Sequence, residues 1–563
     1  MLLFIDYRGE KMRGDIVKII CFFIAISFLM TIANGQTTVS QASFFQGHEY
    51  VIITTTEFED AIKSFKIWKE SLGYSVKVIT TSWISSNYQG RDLQEKIRNF
   101  LIDKYDEWGI NYVLIVGSRD KIPMRTCYPL PNVHDEGTPT DYYYADLTGN
   151  WDKDGDGYFG EYRQDDVDFY PEVYVGRIPS DDPSKIENIC RNIINFESDN
   201  GAWKKNVLLL GAIIFYENQT QVGYKWHRSD GATLMEECRN DIFEPNGFLF
   251  TRMYEEEGIK PSTYEYDYPL NRSNVLSEWK KGYGIVNMLG HANNIQIDRL
   301  VWDHDDGDNV PEYPEELKYI AFLRYSDSDD LSVERPPIVC TSGCYQLWTS
   351  RNMGRAFMED GAAVAFIGST AGSWYNISLI WNDEKDGGTY SINYYFFHYF
   401  INHNQKCGNA LYNSKVYFYN HFMFTGNNQE WIFRCYDNLY GFNLYGDPSL
   451  GLTTKKIDSS PPIVTIEKPK GYLYIFGKEI GPTFFGIPII IGGITVDVIA
   501  TDETGIEKIE IWVDNKLKYT TKEEPYEWLW DETVFGKHVL KAVVHDKAGN
   551  IAGDEMAVWI FNF

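Results

Sequence analysis

The sequence lacks most of the short motifs that assign chemistry at sight. It has no HExxH, no GxSxG, no GxxxxGK[ST] loop and no CxxC pair, so zincin, α/β-hydrolase, P-loop and zinc-ribbon chemistries are without their signatures. Positive charge is also scarce. Lys and Arg number 52 against 80 Asp and Glu, a formal net charge of −28, which argues against a nucleic-acid partner, since such proteins carry a basic footprint. Eight cysteines in 563 residues are too few for a disulfide scaffold. No repeat of fixed period is present, and no apolar run after residue 33 is long enough to span a bilayer. What is there is a chain with 44% apolar and 16% aromatic residues, enough to fill large cores. Its length predicts three or four domains of about 150 residues each. Its carboxylate excess suits bound calcium or basic substrates.

Residues 16–33 (IVKIICFFIAISFLMTIA) follow Arg13, and Ala33-Asn34-Gly35 places small residues before a cleavage point. This is the layout of a secretory signal peptide over residues 1–35, with Met12 as an alternative start. An uncleaved anchor helix is the other reading. In either case the remainder is expected to be secreted or at the cell surface. Seven cysteines follow: Cys127, Cys190, Cys238, Cys340, Cys344, Cys407 and Cys435. An odd number in an oxidising compartment leaves at least one thiol unpaired, either an inert buried cysteine or a nucleophile that must stay free.

YVIITT at 50–55, VKVIT at 76–80 and YVLIV at 112–116 read as buried strands. Between them, Ala61, Phe65, Trp68 and Leu72, and then Leu93, Ile97, Phe100 and Leu101, recur at helical spacing, the second set behind an Asp92–Glu95 capping box. EVYVGRI at 172–178 adds a strand, and Asp182-Pro183 opens another helix. This alternation predicts a parallel α/β sheet. The rhythm restarts after Trp203, with apolar runs at 207–214, 284–289, 338–341 and 362–367. IDSSPP at 457–462 marks a break. Beyond it, short strands at 463–466, 494–500, 507–513, 526–530 and 539–544 predict an all-β sandwich. The expected division is a signal peptide over 1–35, α/β subdomains over 47–200 and 201–455, and a β-sandwich over 461–563. In the last, DETGIEKIEIWVD and AVVHDKAGN resemble bacterial and archaeal Ig-like modules.

Two strand ends carry reactive side chains. GIVNMLGHANN ends a buried strand in Gly290-His291, and PPIVCTSGCYQLW ends another in Gly343-Cys344. Ligands gather at the carboxyl ends of parallel strands, so a Cys nucleophile and a His proton partner could meet there. The small neighbours admit substrate closely, and the Cys344 N–H could help bind an oxyanion. The residues alone leave a structural His and a CxxxC disulfide as alternatives.

Strand-Gly-His followed by strand-Gly-Cys resembles the caspase-like clan of cysteine peptidases and, more narrowly, the gingipain family. The resemblance covers roughly residues 48–455, and includes YVLIVGSRDKIP, PEVYVGRIP, GHANN with Trp302 downstream, IVCTSGC, GSTAGSW and FNLYGDPSLGL. It implies an endopeptidase with two caspase-like parallel-sheet subdomains and an Ig-like domain, in which Cys344 and His291 are catalytic. It also implies an acidic residue after VLLLGAII that orients the imidazole, here Glu217, and an Asp at the base of the specificity pocket, here Asp230. Asp230 reads equally as the N-cap of a helix over 231–238. Trp374 matches a pocket-wall Trp. Three features depart from the family: Ala292 follows His291 where Gly is frequent, only a short segment separates the signal from the first strand where gingipains carry a long prodomain, and acidic stretches (WDHDDGDNVPEYPEE, YSDSDD) lie between His and Cys.

Asp152, Asp154 and Asp156 open a D-x-D-x-D-G loop, but Arg163 stands where an EF-hand needs its bidentate Glu. Asp168, Tyr170 and Glu172 align with a calcium-binding stretch of gingipains, the Tyr contributing its carbonyl. Asp303, Asp305, Asp306 and Asp308 form a second acidic group. The expectation is a secreted, calcium-stabilised cysteine endopeptidase acting on proteins or peptides, with oxyanion donors at Cys344 and Ala292 and a pocket at Asp230 and Trp374 suited to Arg or Lys. The calcium is structural, no nucleic acid is bound, no span follows signal removal, and the Ig-like domain could associate with the cell surface. The alternatives are an inactive adhesion protein on a peptidase fold and a self-processing or transpeptidating enzyme.

Overall fold

The computed structural model describes residues 47–130, 137–220, 227–375, 387–423, 429–484 and 486–563. The expected signal peptide and Cys21 lie outside the described residues. Eleven strands form one sheet. In chain order they are β1 Tyr50–Thr54, β2 Val76–Thr80, β3 Tyr112–Val116, β4 Tyr174–Ile178, β5 Asn206–Gly211, β6 Leu249–Tyr254, β7 Tyr268–Pro269, β8 Ile285–Leu289, β9 Ile338–Thr341, β10 Ala365–Ser369 and β11 Phe442–Tyr445. In space they run β7-β6-β5-β8-β9-β10-β11-β4-β3-β1-β2. Neighbours are parallel except at β10–β11. Two parallel blocks therefore run in opposite directions and share one sheet through that seam. β1, β3, β4, β8, β9 and β10 are buried along their whole length, as strands covered on both faces must be, which is why they read as unbroken apolar runs.

The helices start where their caps predict. The Asp92 carboxylate accepts the Glu95 N–H at 2.9 Å and opens Leu93–Trp108, whose Ile97, Phe100 and Leu101 are buried. Asp182 accepts the Ser184 N–H at 2.8 Å and opens Pro183–Ser198. Among the described residues no helix is long and apolar enough to cross a membrane.

From Ile463 onward the chain is all β. A three-stranded sheet (Ile463–Lys468, Ile494–Thr501, Glu527–Trp530) faces a seven-stranded one, and Ile466, Val496, Ile511, Trp530 and Val558 share the core between them. Trp512, Val543 and Ile551 instead join the large core of the α/β region. The Glu510 carboxylate lies 3.5 Å from the His421 ring of helix Cys407–His421. The sandwich is thus packed onto the α/β body and does not hang from a free linker.

Candidate active site

β5, β8, β9 and β10 are consecutive and parallel, so their carboxyl ends open on one edge of the sheet. β8 and β9 are paired with Met288 opposite Thr341. Continued along both chains, that register sets His291 level with Cys344. Glycines let the two ends abut. A Cβ on Gly343 would lie 2.2 Å from the Gln346 amide nitrogen, 2.7 Å from Cβ of Ala292 and 3.0 Å from the Gly290 carbonyl oxygen, so only glycine lets the chain pass this closely without a shift.

The imidazole is held by backbone. Nε2 of His291 lies 2.7 Å from the carbonyl oxygen of Ile214, just beyond β5, and in its protonated form donates to it. Phe215 and Tyr319 meet the ring edge-on at 5.6 and 5.0 Å between centroids. Burial holds the imidazole below the ordinary histidine value, and the Ile214 bond pulls weakly the other way.

Cys344 is the one described cysteine that is not buried. Its sulfur receives the Ser373 N–H at 3.3 Å. Burial of the sulfur pushes the thiol up, partly offset by that N–H. No hydrogen bond joins thiol to imidazole among the described residues, so the resting pair is a neutral thiol and a neutral ring. The Cys344 N–H has no acceptor among the described residues and is available to a substrate oxygen. Tyr345, next in sequence, has φ 61°, a left-handed conformation costly for a bulky residue. Its N–H is fixed to the Ala371 carbonyl at 2.9 Å, and the Ser373 hydroxyl donates to the Gly343 carbonyl at 2.7 Å. Cys344 is therefore clamped from both sides. All seven described cysteines are free thiols. Cys340 is buried on β9, 3.4 Å from the Asn393 amide nitrogen, so no disulfide ties it to Cys344.

The remaining expected residues fare differently. Glu217 is exposed on a turn and makes no hydrogen bond to His291; the Ile214 carbonyl takes the orienting place. That acceptor has no side-chain signature, so the sequence could not show it. Asp230 is buried and near the site, yet its carboxylate is already engaged. It caps helix Gly231–Cys238 through the Ala232 N–H at 3.1 Å and pairs with Arg228 at 3.2 Å. Trp374 follows β10, with its carbonyl and N–H held by Asn438 at 2.6 and 2.9 Å and the Arg434 guanidinium 3.6 Å above its ring. Ala292 sits beside the nucleophile's loop, paired with Ile297 in a two-residue ladder. Sequence reading missed an aromatic wall. From His291 it runs through Phe215 to Tyr375 (5.7 Å) and on to Tyr390, stacked at 5.1 Å. The Tyr390 hydroxyl meets Ser229 at 3.0 Å, next to Asp230.

The six expected calcium ligands fall into two sets. Oxygens of Asp152, Asp154 and Asp156 converge within 4.8 Å, with Arg91 also bonded to Asp152. Asp168 and Glu172 are bridged by the Thr148 hydroxyl at 3.2 and 2.9 Å. The Tyr170 hydroxyl goes to Asn420 at 2.9 Å. The second set includes a residue the sequence reading omitted: Asp146 is fully buried and one of its oxygens has no partner. Burial, then the charges of Asp168 and Glu172, push its carboxyl well up, and burial foremost pushes Glu172 up to about 7. Such a knot of desolvated carboxylates fits a hard divalent cation. In the other acidic group, Asp305, Asp306 and Asp308 converge, while Asp303 leaves to pair with Lys318.

The sequence pattern of peptidase family C25 matches residues 44–453, and that of a bacterial Ig domain matches residues 490–542. Gingipain R1 of Porphyromonas gingivalis is 20% identical over 252 residues, 44% of this chain and 21% of that protein. Gingipain R2 of the same species is 20% identical over 247 residues, 43% and 27% respectively. The chain thus spans about a quarter of the curated relatives it matches. The crystal structure of the Arg-specific cysteine proteinase gingipain R superposes with a TM-score of 0.50 at 15% identity, covering 92% of this chain and 98% of that one. At that identity the likeness concerns the fold.

Proposed function

The chain belongs to peptidase family C25, and from that membership we propose that it is a cysteine endopeptidase whose nucleophile is Cys344 and whose proton carrier is His291. The observation that carries the assignment is the contact of the two strand ends: Gly343 against Gly290 and Ala292 brings the end that carries a half-buried cysteine against the end that carries an imidazole of fixed tautomer. As the sulfur attacks the substrate carbonyl carbon, the free ring nitrogen of His291 takes the thiol proton. The carbonyl electron pair moves to oxygen, where the Cys344 N–H, with that of Ala292, receives it. Collapse re-forms the carbonyl and breaks the C–N bond, and the imidazolium returns its proton to the departing amine. Water then attacks the thioester, His291 takes its proton, and sulfur leaves as the thiol. The Ile214 carbonyl keeps the other ring nitrogen protonated throughout, the part that the gingipain resemblance gives to Glu217.

Preference for Arg or Lys before the scissile bond would rest on Asp230 exchanging Arg228 for the substrate's cation. Calcium would be held by Asp152, Asp154 and Asp156 and by Asp146, Asp168 and Glu172. It supplies charge neutralisation that braces these loops and takes no part in bond cleavage. Export through the 16–33 segment, and surface association through the Ig-like module, belong to the same proposal and are tested by cell fractionation. The function itself is tested with peptides varied at the residue before the cut. The wild-type protein should hydrolyse them and a folded Cys344→Ala variant should not. Hydrolysis by that variant would refute the mechanism, and equal cleavage after neutral residues would remove the role given to Asp230.

A further inference from the structure

A third acidic cluster lies away from the active site and from the loops above. It draws on three separate segments. Asp458 stands in the connection that follows β11, Asp502 in the turn after Ile494–Thr501, and Asp546 at the end of strand Val534–Asp546. One carboxylate oxygen from each lies within 4.8 Å of the others. Among the described residues their hydrogen-bond partners are neutral. Asp546 accepts the Asn550 N–H and side-chain amide, both at 2.8 Å, Asp458 accepts the Ser460 N–H at 3.0 Å, and Asp502 accepts from Thr504 and Gly505 at 2.7–3.1 Å.

A second observation points to a missing positive partner. Asn550 is 0% exposed, and its amide lies inside this cluster, with Nδ2 2.8 Å from Asp546 and 3.3 Å from the Asp458 carbonyl. Its Oδ1 has no partner, and neither does the buried Oδ2 of Asp458. Buried acceptors without donors beside three converging carboxylates are costly unless a cation joins them.

We infer that Asp458, Asp502, Asp546 and Asn550 form a calcium site that pins the Ig-like module to the peptidase module. Every donor is a hard oxygen, and three carboxylates with an amide oxygen suit the roomy, flexible coordination of calcium better than the tight octahedron of magnesium. The site stands at the junction. The turn after Asp546 touches the α/β body, where the Gln405 amide donates to the Ala548 carbonyl at 3.0 Å and a Cβ on Gly549 would lie 2.9 Å from the His403 ring. The Lys547 N–H donates to the Gly505 carbonyl at 3.0 Å, tying the turns of Asp502 and Asp546 together. The inference does not depend on peptidase activity.

The test uses the full chain, stripped of metal and titrated with calcium chloride. Binding stoichiometry is read by calorimetry, and tryptic cleavage at Lys455 and Lys456, just before Asp458, is followed in parallel. Calcium should slow that cleavage in the wild type. Asp502→Asn and Asp546→Asn should each lower the stoichiometry by one ion, and half-protection should then need at least about tenfold more calcium, as expected on losing a charged ligand. Asp154→Asn should leave the protection intact. A folded Asp502→Asn or Asp546→Asn variant with full stoichiometry overturns the inference. So does a wild-type chain whose cleavage there ignores calcium, whatever becomes of the variants.

Discussion

At Cys344 the controlling quantity is protonation. The thiol is pushed up by burial and the imidazole is held down, so at neutral pH almost no thiolate exists before substrate arrives. The rate of alkylation by a small neutral reagent should therefore climb by about tenfold per pH unit through neutrality and beyond, following the thiolate fraction. A plateau already reached below pH 7 would show a preformed ion pair instead. Glu217 gives a second test. As an exposed carboxylate without a contact to His291, its replacement in Glu217→Gln should change kcat/KM by less than about threefold, in line with other surface substitutions. Gly343→Ala should do far more. The new methyl would meet the Gln346 amide at 2.2 Å, Ala292 at 2.7 Å and the Gly290 carbonyl at 3.0 Å, displacing the Gln346 side chain and pressing the two strand ends apart. Activity should fall sharply while stability drops by about 1–3 kcal/mol, the range for overpacking, read by peptide hydrolysis and by urea unfolding.

At the scale of elements, strands buried on both faces were legible because they are continuous apolar runs, and β8 and β9 carried His291 and Cys344 at their ends in plain view. β6 was not legible. It lies near the sheet edge, mixes Thr251 and Arg252 into its run, and leaves Leu249 72% exposed. β11 was hidden by its brevity and by Asn443, whose side chain accepts the Asp141 N–H at 2.9 Å. The strand Leu317–Arg324, which brings Tyr319 to the imidazole, lies between the two acidic stretches of the His–Cys interval and carries no motif of its own. Asp230 shows how one carboxylate can hold two duties, since it caps a helix and pairs with Arg228, and a pocket role requires the substrate's cation to take the place of Arg228. Asp230→Ala should cost about 1 kcal/mol through the lost cap, and kcat/KM should fall for Arg and Lys substrates while changing little for Leu ones. An equal fall for Arg and Leu substrates would remove the pocket role.

On the scale of the whole molecule, the parallel block of β11, β4, β3, β1 and β2 is locked at one buried ion cluster. Lys69, wholly buried, lies 2.8 Å from Glu197 and bonds Asp447 beyond β11. Lys69→Met would leave two carboxylates facing each other without a cation and should destabilise the protein by about 3–5 kcal/mol, as when one partner of a buried pair is removed; chemical denaturation checks it. In the neighbouring block, the parallel pairing of β8 with β9 keeps their carboxyl ends together, and on it rests the claim that a single thiol does the chemistry. That claim is tested most directly by treating the folded protein with a peptidyl electrophile and mapping the adduct by mass spectrometry. One adduct, on Cys344, formed rapidly in the wild type and slowly in His291→Ala, is the predicted result. An adduct on another cysteine, or labelling of Cys344 that is indifferent to His291, would contradict it.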